Sequence, residues 1–345
     1  MAAAQPSYTN VFVPEVTKQL VVDYSRNPKD FLVNMLATTT PVDKPIGYYL
    51  SISPDAQARS GGGRQSRLFA DGAARPIQTD NKSEHEYIKY FCQRTAYTDP
   101  IGYQTAKNAT WDIKAQISRT LANKAMLDRA IEFYNILSTS GNYLSGHIDT
   151  ATNWGGGQWS GATASNRYIQ RSLMSAARRI IKSTVNGGVT LSDLFLVVSP
   201  TVADIMARSG EIADYIKEST AAPQYIEFKL WAEQNALYGL PQVLYGVKVV
   251  VDETIKDPVK SGETSAKAFL PGDTSAFLIT KKGGVKSSEI GTEFSSVHFF
   301  VEKEWEMRTE EFDEPITART IQSVTDSWEA QMVAKAATVC FTAVA

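Results

Sequence analysis

The histidines and cysteines of the 345-residue sequence are the first candidates for catalysis or metal binding. His147 and Asp149, in the sequence HID, offer two metal ligands, but a zinc site needs a third and a fourth, and none follow at a suitable spacing. Cys92 and Cys340 lack the paired-thiol spacing of a zinc site. We therefore interpret the histidines as surface residues or as residues with satisfied hydrogen bonds, and we expect no metal.

Nucleophilic and phosphate-binding motifs are incomplete in this sequence. The stretch GQWSG at 157–161 places its serine one position too late for a Gly-x-Ser-x-Gly elbow. The glycine clusters at 153–161 and 281–286 lack the Gly-Lys-Ser/Thr ending and the preceding strand of a phosphate loop, and we read them as flexible turns. The sequence thus predicts no catalytic residue and no bound cofactor, and the protein is expected not to be an enzyme.

Two charged stretches favour contacts between molecules rather than catalysis. The first, at 59–76, has three adjacent glycines and four arginines: Arg59, Arg64, Arg67 and Arg75. These arginines are open to three interpretations, namely contact with nucleic acid, pairing with acids of a neighbouring subunit, or plain solvation. Pairing is favoured because the stretch has few aromatic residues for base stacking and because arginine binds carboxylates in bidentate fashion.

The second stretch is the acidic run at 302–315. On a strand, Glu302, Glu304 and Glu306 would share one face with Arg308. Such a face is more often solvated or directed towards another subunit than used as an acid/base pair. The three glutamates are therefore candidate partners of the arginines in a neighbouring subunit.

Composition restricts the classes of protein that these stretches could serve. The chain is 43% hydrophobic and 21% charged, which is ordinary for a globular protein, and its net charge of −2 gives no overall attraction to nucleic acid or to anionic membranes. Two cysteines are too few for a disulfide-stapled secreted protein, and both are expected to be reduced. No stretch reaches 18 consecutive apolar residues, so no membrane span and no membrane partner are predicted.

The charged stretches lie between recognisable elements. Apolar and aromatic runs at 46–53 and 85–97 predict two strands, which would form a long hairpin with its tip near Gly61 to Gly63. Further strands are predicted at 194–199, 247–252, 276–280, 296–308 and 338–345. Residues 1–46, which carry five prolines, are expected to form an arm rather than a core.

Two long helices and one short helix are predicted among these strands. Residues 111–138 have apolar residues at helical spacing, Thr110 as a possible cap and Gly141 as a stop. A second helix is expected at 167–185, and a third begins with the cap Ser199 and Pro200 and ends at Gly210. Because helices and strands are mixed without regular alternation, the fold class is predicted to be α+β.

The order of these elements resembles the major capsid protein of tailed bacteriophages, which has the Hong Kong 97-type fold that encapsulins share. The helix at 113–135 resembles the spine helix of that family. The sequence LFLVVSPTVADIMA at 194–207 resembles the strand, proline and helix of its axial domain, and ALYGLPQVLYGVKVVVDETI at 236–255 resembles a further stretch of that domain. The resemblance covers nearly the whole chain.

The resemblance implies a division of the chain. It places an N-terminal arm at 1–46, an extended loop at 47–98, a peripheral domain at 99–165 and 291–345 with the spine helix at 111–138, and an axial domain at 166–290. In this family the extended loop lies across a neighbouring subunit, which would explain why 59–76 is poorly suited to its own core. Some relatives crosslink a loop lysine to a neighbour, but this sequence identifies no acceptor.

The function implied is that of a shell protein, which assembles through pentamers and hexamers into the icosahedral head around a double-stranded DNA genome. The implied partners are other copies of the chain, portal and scaffolding proteins, a possible decoration protein, and packaged DNA held by weak non-specific contacts. The expected location is the virion, with the host cytoplasm during assembly. The alternatives left open are an encapsulin-like shell around an enzyme, a minor capsid or decoration protein, and a soluble enzyme with a glycine-rich lid.

Overall fold

The computed structural model describes residues 27–52, 68, 71, 85–109, 111–154, 157–185, 189–218, 237–259, 263–282 and 294–344. The helices are α1 (Val33–Leu36), α2 (Tyr103–Asn108), α3 (Ile113–Ser138), α4 (Tyr168–Ser183), α5 (Pro200–Arg208) and α6 (Gly210–Glu218). The strands are β1 (Thr38–Val42), β2 (Ile46–Ile52), β3 (His85–Phe91), β4 (Gln93–Gly102), β5 (Ile148–Asp149), β6 (Leu194–Val198), β7 (Val243–Leu244), β8 (Val247–Val251), β9 (Ile255–Lys256), β10 (Ala268–Phe269), β11 (Ala276–Lys282), β12 (Phe294–Ser295), β13 (Val297–Glu302), β14 (Arg308–Glu314), β15 (Arg319–Met332) and β16 (Val339–Phe341). This mixture of helices and sheets confirms the α+β class.

A seven-stranded sheet forms the centre of one half of the fold. Its strands lie in the order β5-β16-β11-β6-β8-β7, and β12 pairs with β11. Side chains alternate across a strand, so Leu194 and Leu196 pack into the core on the α4 side, while Phe195 and Val197 pack into the core on the α3 side. Because both faces are covered, β6 is apolar at every position, as its sequence predicted.

A five-stranded sheet supports the other half. It has the order β1-β13-β15-β14, and β4 pairs with β15. The 14 residues of β15 bind β13 near their carboxyl end and lie between β14 and β4 near their amino end. The helix α3 packs across this strand, which makes β15 the element that links the sheet to the long helix.

The long helix α3 is close to its predicted span. It begins after Asp112, whose Oδ1 accepts a hydrogen bond from the Ala115 N–H at 3.0 Å, so Asp112 is the N-cap; the proposed cap Thr110 lies outside the described residues. It ends at Ser138, before Gly141, because the backbone of Thr139 is extended, with φ of −80° and ψ of 111°. The helix is thus 26 residues long, or about 39 Å.

The helices of the second half also agree with the sequence. The apolar residues at helical spacing in α4 are buried: Ile169, Leu173, Ala176 and Ile180. Ser199 caps α5 by accepting from the Val202 N–H at 3.3 Å, and Pro200 is its first residue. Gly210 does not open a loop, however, because α6 begins at that residue.

Three sequence predictions are wrong in detail. Residues 31–42 are not a loose arm, because Phe31, Val33 and Leu36 are buried against α3 and β1 pairs in parallel with β13. The run at 85–97 is two strands, which break at Cys92. The run at 296–308 is not one strand either, because β13 ends at Glu302 and a 3-10 turn follows at Lys303–Trp305.

The carboxyl end of the chain crosses between the two halves. Strand β16, which we had assigned to the peripheral segment 291–345, pairs with β11 of the seven-stranded sheet. Phe341 and Val344 are buried in the core on the α4 side of that sheet. The division into peripheral and axial domains stays a prediction, and these last residues lie with the axial segment.

Candidate subunit-contact surfaces

The two-stranded ribbon of β2 and β3 is anchored by one face. Tyr49 and Tyr90 stack on Phe300 of β13, with ring centroids 5.3 Å and 4.8 Å from that of Phe300. Gly47 lies directly beneath Tyr90, where an added Cβ would come within 2.3 Å of the tyrosine oxygen. The Gln331 amide also donates to the Lys89 carbonyl at 3.0 Å, so the base of the ribbon is fixed to the five-stranded sheet.

The opposite face of the ribbon is apolar and exposed. In the register of the ribbon Ile46 pairs with Phe91, Tyr48 with Lys89, and Leu50 with Tyr87, which places all six side chains on this outer face. Tyr48 is 66% exposed and Tyr87 is 72% exposed. A contiguous group of exposed aromatic and aliphatic residues marks a binding surface, and tyrosine is enriched among the residues that dominate binding energy.

The hairpin of β14 and β15 is a second exposed feature. β14 pairs with β15 along one side, and its turn at Pro315–Thr317 places Ile316 at the tip, where it is 97% exposed. Phe312 on the same hairpin is half exposed. The strand is held by its own ion pairs, since Lys114 of α3 binds Glu311 and Arg319 binds Glu314.

Glu302, a predicted contact residue, is already hydrogen-bonded to partners in its own subunit. It is buried, and its carboxylate accepts from the Arg94 guanidinium at 2.9 Å and 3.3 Å and from the Ser327 hydroxyl at 2.9 Å. The Arg94 guanidinium holds the pKa of this carboxyl below its usual value, and the Ser327 hydroxyl acts in the same direction. Glu302 therefore fixes β13 to β4 and β15 and is not available to a neighbouring loop.

Glu304 and Glu306 are exposed on the turn after β13. Between them, the Trp305 ring lies under the Arg94 guanidinium at 4.2 Å and within 5.3 Å of that of Arg308. The proposed partners Arg59, Arg64, Arg67 and Arg75 lie outside the described residues. The structure thus leaves two of the three glutamates open to another molecule, and the pairing itself stays a prediction.

The cavity beside α4 contains the one histidine that sequence analysis linked to chemistry. Its volume is about 680 Å³, and it is lined by Ser145, Gly146, His147, Asn153, Arg179, Lys182 and Ser183. His147 Nδ1 lies 2.9 Å from the Thr338 carbonyl, so Nδ1 carries the proton, and Nε2 accepts from the Ser183 hydroxyl at 3.1 Å. Burial lowers the pKa of His147 from its ordinary value and keeps the ring neutral.

This serine and histidine pair has the spacing of a nucleophile and a base, but its surroundings oppose that chemistry. Ser183 is the last residue of α4, where the helix presents carbonyl oxygens and the negative end of its dipole. An oxyanion requires N–H donors instead. Asp149, the other member of the HID sequence, is buried and paired with Arg179 at 2.9 Å. The group holds α4 against β5 and the segment before β16.

Histidines, cysteines and acidic residues are dispersed over the described ranges. Within them, no three histidine, cysteine or acidic residues lie together as a metal site would require. Cys92 and Cys340 are both free and buried, and burial raises their pKa values to about 11 and about 12. Both thiols are therefore protonated at neutral pH. Among the described helices, none combines the length and the apolar character of a membrane span.

The sequence matches no protein-family model and no curated protein sequence. Solved structures are nevertheless similar over nearly the whole chain. A phage-related protein from Bordetella bronchiseptica has a TM-score of 0.61 at 13% identity, and the match covers 92% of this chain and 93% of that chain. The capsid of cyanophage P-SCSP1u has a TM-score of 0.58 at 12% identity, over 97% of this chain and 93% of that chain.

An encapsulin complex from Synechococcus elongatus is also similar, with a TM-score of 0.53 at 11% identity over 99% of this chain and 96% of that chain. These similarities, all at 13% identity or less, concern the fold as a whole. The chain has the Hong Kong 97-type fold, as the sequence predicted.

Proposed function

We propose that this chain, given its Hong Kong 97-type fold, is the major capsid protein of a tailed bacteriophage. Copies would assemble through pentamers and hexamers into an icosahedral head around double-stranded DNA. The proposal rests chiefly on one observation, which is that the match to the cyanophage capsid chain covers 97% of this chain and 93% of that chain. In this role the protein is structural and has no catalytic residue.

The exposed face of the ribbon supports the same proposal. A monomer gains nothing from placing Tyr48, Leu50 and Tyr87 in water, whereas a subunit that lies against a second copy buries them. In the proposed shell, the extended loop at 47–98 reaches across a neighbour from a base that stays on its own subunit, where 93–98 pair with β15, and the axial segment at 166–290 surrounds the symmetry axes. Portal and scaffolding proteins, and a decoration protein where one is present, would be its further partners in the virion and, during assembly, in the host cytoplasm.

The loop arginines add a testable detail to this contact. Glu304 and Glu306 are exposed, so they are the acids that a neighbour's Arg64 and Arg67 would reach, whereas Glu302 is already paired. Reversing charge with Arg64→Glu and Arg67→Glu should reduce assembly, and adding Glu304→Arg and Glu306→Arg should restore it. Reduced assembly without restoration by the second pair of substitutions would exclude this pairing.

Negative-stain electron microscopy tests the proposed function directly. The full chain, expressed alone and together with the genes that accompany it, should give closed isometric shells or rings of subunits. Particles purified from the natural source should contain this chain as their most abundant protein and should protect DNA from nuclease. A chain that forms no assembly under either condition, or that is a minor component of the particles, would overturn the proposal.

A second candidate is an encapsulin-like shell around an enzyme. The similarity to the Synechococcus encapsulin complex, at almost full coverage of both chains, is the observation that favours it. The content of the purified particles separates the two functions. Nuclease-protected DNA supports the phage head, and a stoichiometric second protein without DNA supports the encapsulin.

A further inference from the structure

The exposed side of α4 carries a row of basic residues: Arg167, Arg171, Arg178 and Lys182, with Arg167 as the residue before the helix. At 100° per residue these four positions fall within about 60° of the helix circumference. At 1.5 Å per residue they extend over about 22 Å. We call this row the basic stripe.

Acids do not neutralise the stripe within the described parts of the chain. Arg167 bonds to the Ala164 carbonyl and to Gln170, and none of the four residues is in an ion pair there. Two buried acids contact the helix, and both are bound by groups outside the stripe. Glu211 caps its first turn through the Ile169 and Gln170 N–H groups, and Asp149 pairs with Arg179.

Three turns that pack against α4, at 151–154, 159–161 and 335–337, add no negative charge. Their only charged residue is Lys335, which is exposed. The face is thus locally basic by at least four charges in a chain whose net charge is −2. A concentration of one sign of charge that the fold does not use for itself indicates a polyanionic ligand.

We infer that the basic stripe binds the phosphate backbone of the packaged DNA duplex. This inference deepens the proposed function, on which it rests, by naming the face of the subunit that is turned towards the genome. Duplex DNA carries one negative charge per 1.7 Å of helix axis, so phosphates are available along the whole length of the stripe. Arginine and lysine carry their charges at the ends of flexible side chains. They suit such contacts, which do not depend on the base sequence.

The cavity at the carboxyl end of α4 extends the stripe. Lys182 belongs to both, and Arg179, Asn153, Ser145 and Ser183 line the cavity beside it. Arg179 uses its guanidinium to hold Asp149 and the Gly146 carbonyl, but five N–H donors leave some free for a phosphate oxygen. One phosphate can therefore be received deeper than the others, at the end of the row.

An acidic protein segment is the other ligand that a basic face could take, and the composition of the stripe argues against it. The buried centre of a protein interface is depleted of charge and enriched in aromatic residues. The stripe has four charges and no aromatic residue, and the large apolar side chain exposed beside it is that of Ile181. Evenly distributed charge without an apolar anchor fits a phosphate backbone.

The test measures the binding of the full-length protein to a 30-base-pair duplex by fluorescence anisotropy between about 50 and 200 mM NaCl. Four neutralised phosphates give a slope of log affinity against log salt of about −3.6, or a loss of roughly 150-fold over this range. The variant with glutamine at all four stripe positions (Arg167→Gln, Arg171→Gln, Arg178→Gln, Lys182→Gln) should bring the slope towards zero. Replacing the three arginines with lysine should leave it unchanged.

A matched control removes the same charge elsewhere, at four exposed lysines: Lys29→Gln, Lys44→Gln, Lys107→Gln and Lys267→Gln. This variant should retain the slope of the unmodified protein. The inference is overturned if the duplex does not bind, if the stripe variant retains the slope, or if the control loses it equally, because net charge alone would then account for binding.

Electron microscopy of the same variants separates this inference from the proposed function. If the protein forms shells but its DNA binding does not depend on the stripe residues, the inference alone is overturned. A slope that depends on the stripe in a protein that never assembles would overturn the capsid proposal alone. A stripe variant that binds DNA normally but cannot form shells would assign the face to a subunit contact, and the inference would fall.

Discussion

The ribbon of β2 and β3 and the long strand β15 lie next to each other and reverse the usual distribution of polarity. The ribbon exposes Ile46, Tyr48, Leu50, Tyr87 and Phe91. Strand β15 instead buries polar side chains, which are Thr320, Gln322, Ser323, Thr325, Asp326 and Ser327. The difference shows which interactions the chain completes by itself and which it leaves for another molecule.

Partners from the same chain bind three of the buried polar residues of β15, which are Asp326, Ser327 and Thr320. The Arg129 guanidinium of α3 binds both oxygens of Asp326 at 2.7 Å and 2.8 Å, and the Ser327 hydroxyl donates to Glu302. The Thr320 hydroxyl donates to Asp313 at 2.9 Å. Burying such groups is costly unless they are hydrogen-bonded, so the chain itself supplies the partners that these three side chains require. The outer face of the ribbon has no comparable cover from the described residues.

The largest loss of stability is expected when one member of the buried charge pair is removed. Arg129→Leu leaves Asp326 buried with an uncompensated charge, because both side chains are almost fully buried. We expect the free energy of unfolding to fall by about 3–5 kcal/mol in urea titrations. The control is Arg208→Leu, whose ion pair with Asp204 has a similar distance of 2.9 Å but is exposed, and which should cost under about 1 kcal/mol.

Equal losses in these two variants would mean that burial does not set the strength of the pair. The comparison between β15 and the ribbon would then lose its basis, since the polar interior would contribute no more than surface charge does.

The buried histidine of the neighbouring strand β13 makes the stability of this part of the fold depend on pH. His298 of β13 is buried beside Thr40 of β1, at 3.0 Å between the threonine oxygen and Nδ1. Burial, with the Lys281 charge acting in the same direction, lowers the pKa of His298 to about 4. The unfolded chain, with an ordinary histidine pKa near 6.5, therefore binds more protons between about pH 6.5 and pH 4.

Stability must then fall as the pH falls through this window, by up to about 3 kcal/mol at pH 4 from this group. His298→Asn, which cannot titrate here, should remove that part of the slope in unfolding measurements at several pH values. Thr40→Val should lower the free energy of unfolding by an amount that does not change with pH, so the slope of stability against pH should be kept. A slope that survives His298→Asn would assign the acid sensitivity to the carboxylates.

The sequence predicts elements well where one residue type dominates them. β6, α4 and the cap and proline of α5 agree with the structure because apolar periodicity and capping residues are local signals. The strand β15 was not predicted, since its polar residues resemble a loop until the partners on α3 and β13 are known. Its Thr, Ile, Val and Trp content was the available signal.

The contact surfaces were predictable only in part for a similar reason. Alternation in the sequence of β3 places Tyr87 and Tyr90 on opposite faces, and the structure has them there. Both faces of the ribbon are apolar or aromatic, however, so the sequence could not show which one the sheet would cover. The ion pair between Glu302 and Arg94 joins residues 208 positions apart, so nothing in the sequence around either residue indicates it.

The smallest change in the free energy of unfolding is expected from substitutions on the exposed face of the ribbon. That face, unlike β15, is expected to have its partner in another molecule. Tyr48→Ser with Tyr87→Ser should alter the free energy of unfolding by less than about 0.5 kcal/mol, because both side chains are already in water. The concentration needed for assembly, measured by light scattering, should nevertheless rise by about tenfold or more, since buried tyrosines at interfaces each contribute about 1–2 kcal/mol.

Tyr49→Ser is the matched control on the inner face, where the ring stacks on Phe300. It should destabilise the subunit by about 2 kcal/mol and affect assembly only through that loss. If the outer pair instead destabilised the subunit as much as Tyr49→Ser does, part of the same chain would cover the outer face. The exposed residues would then belong to the subunit's own core, and the ribbon would no longer differ from β15 in having its partner in another molecule.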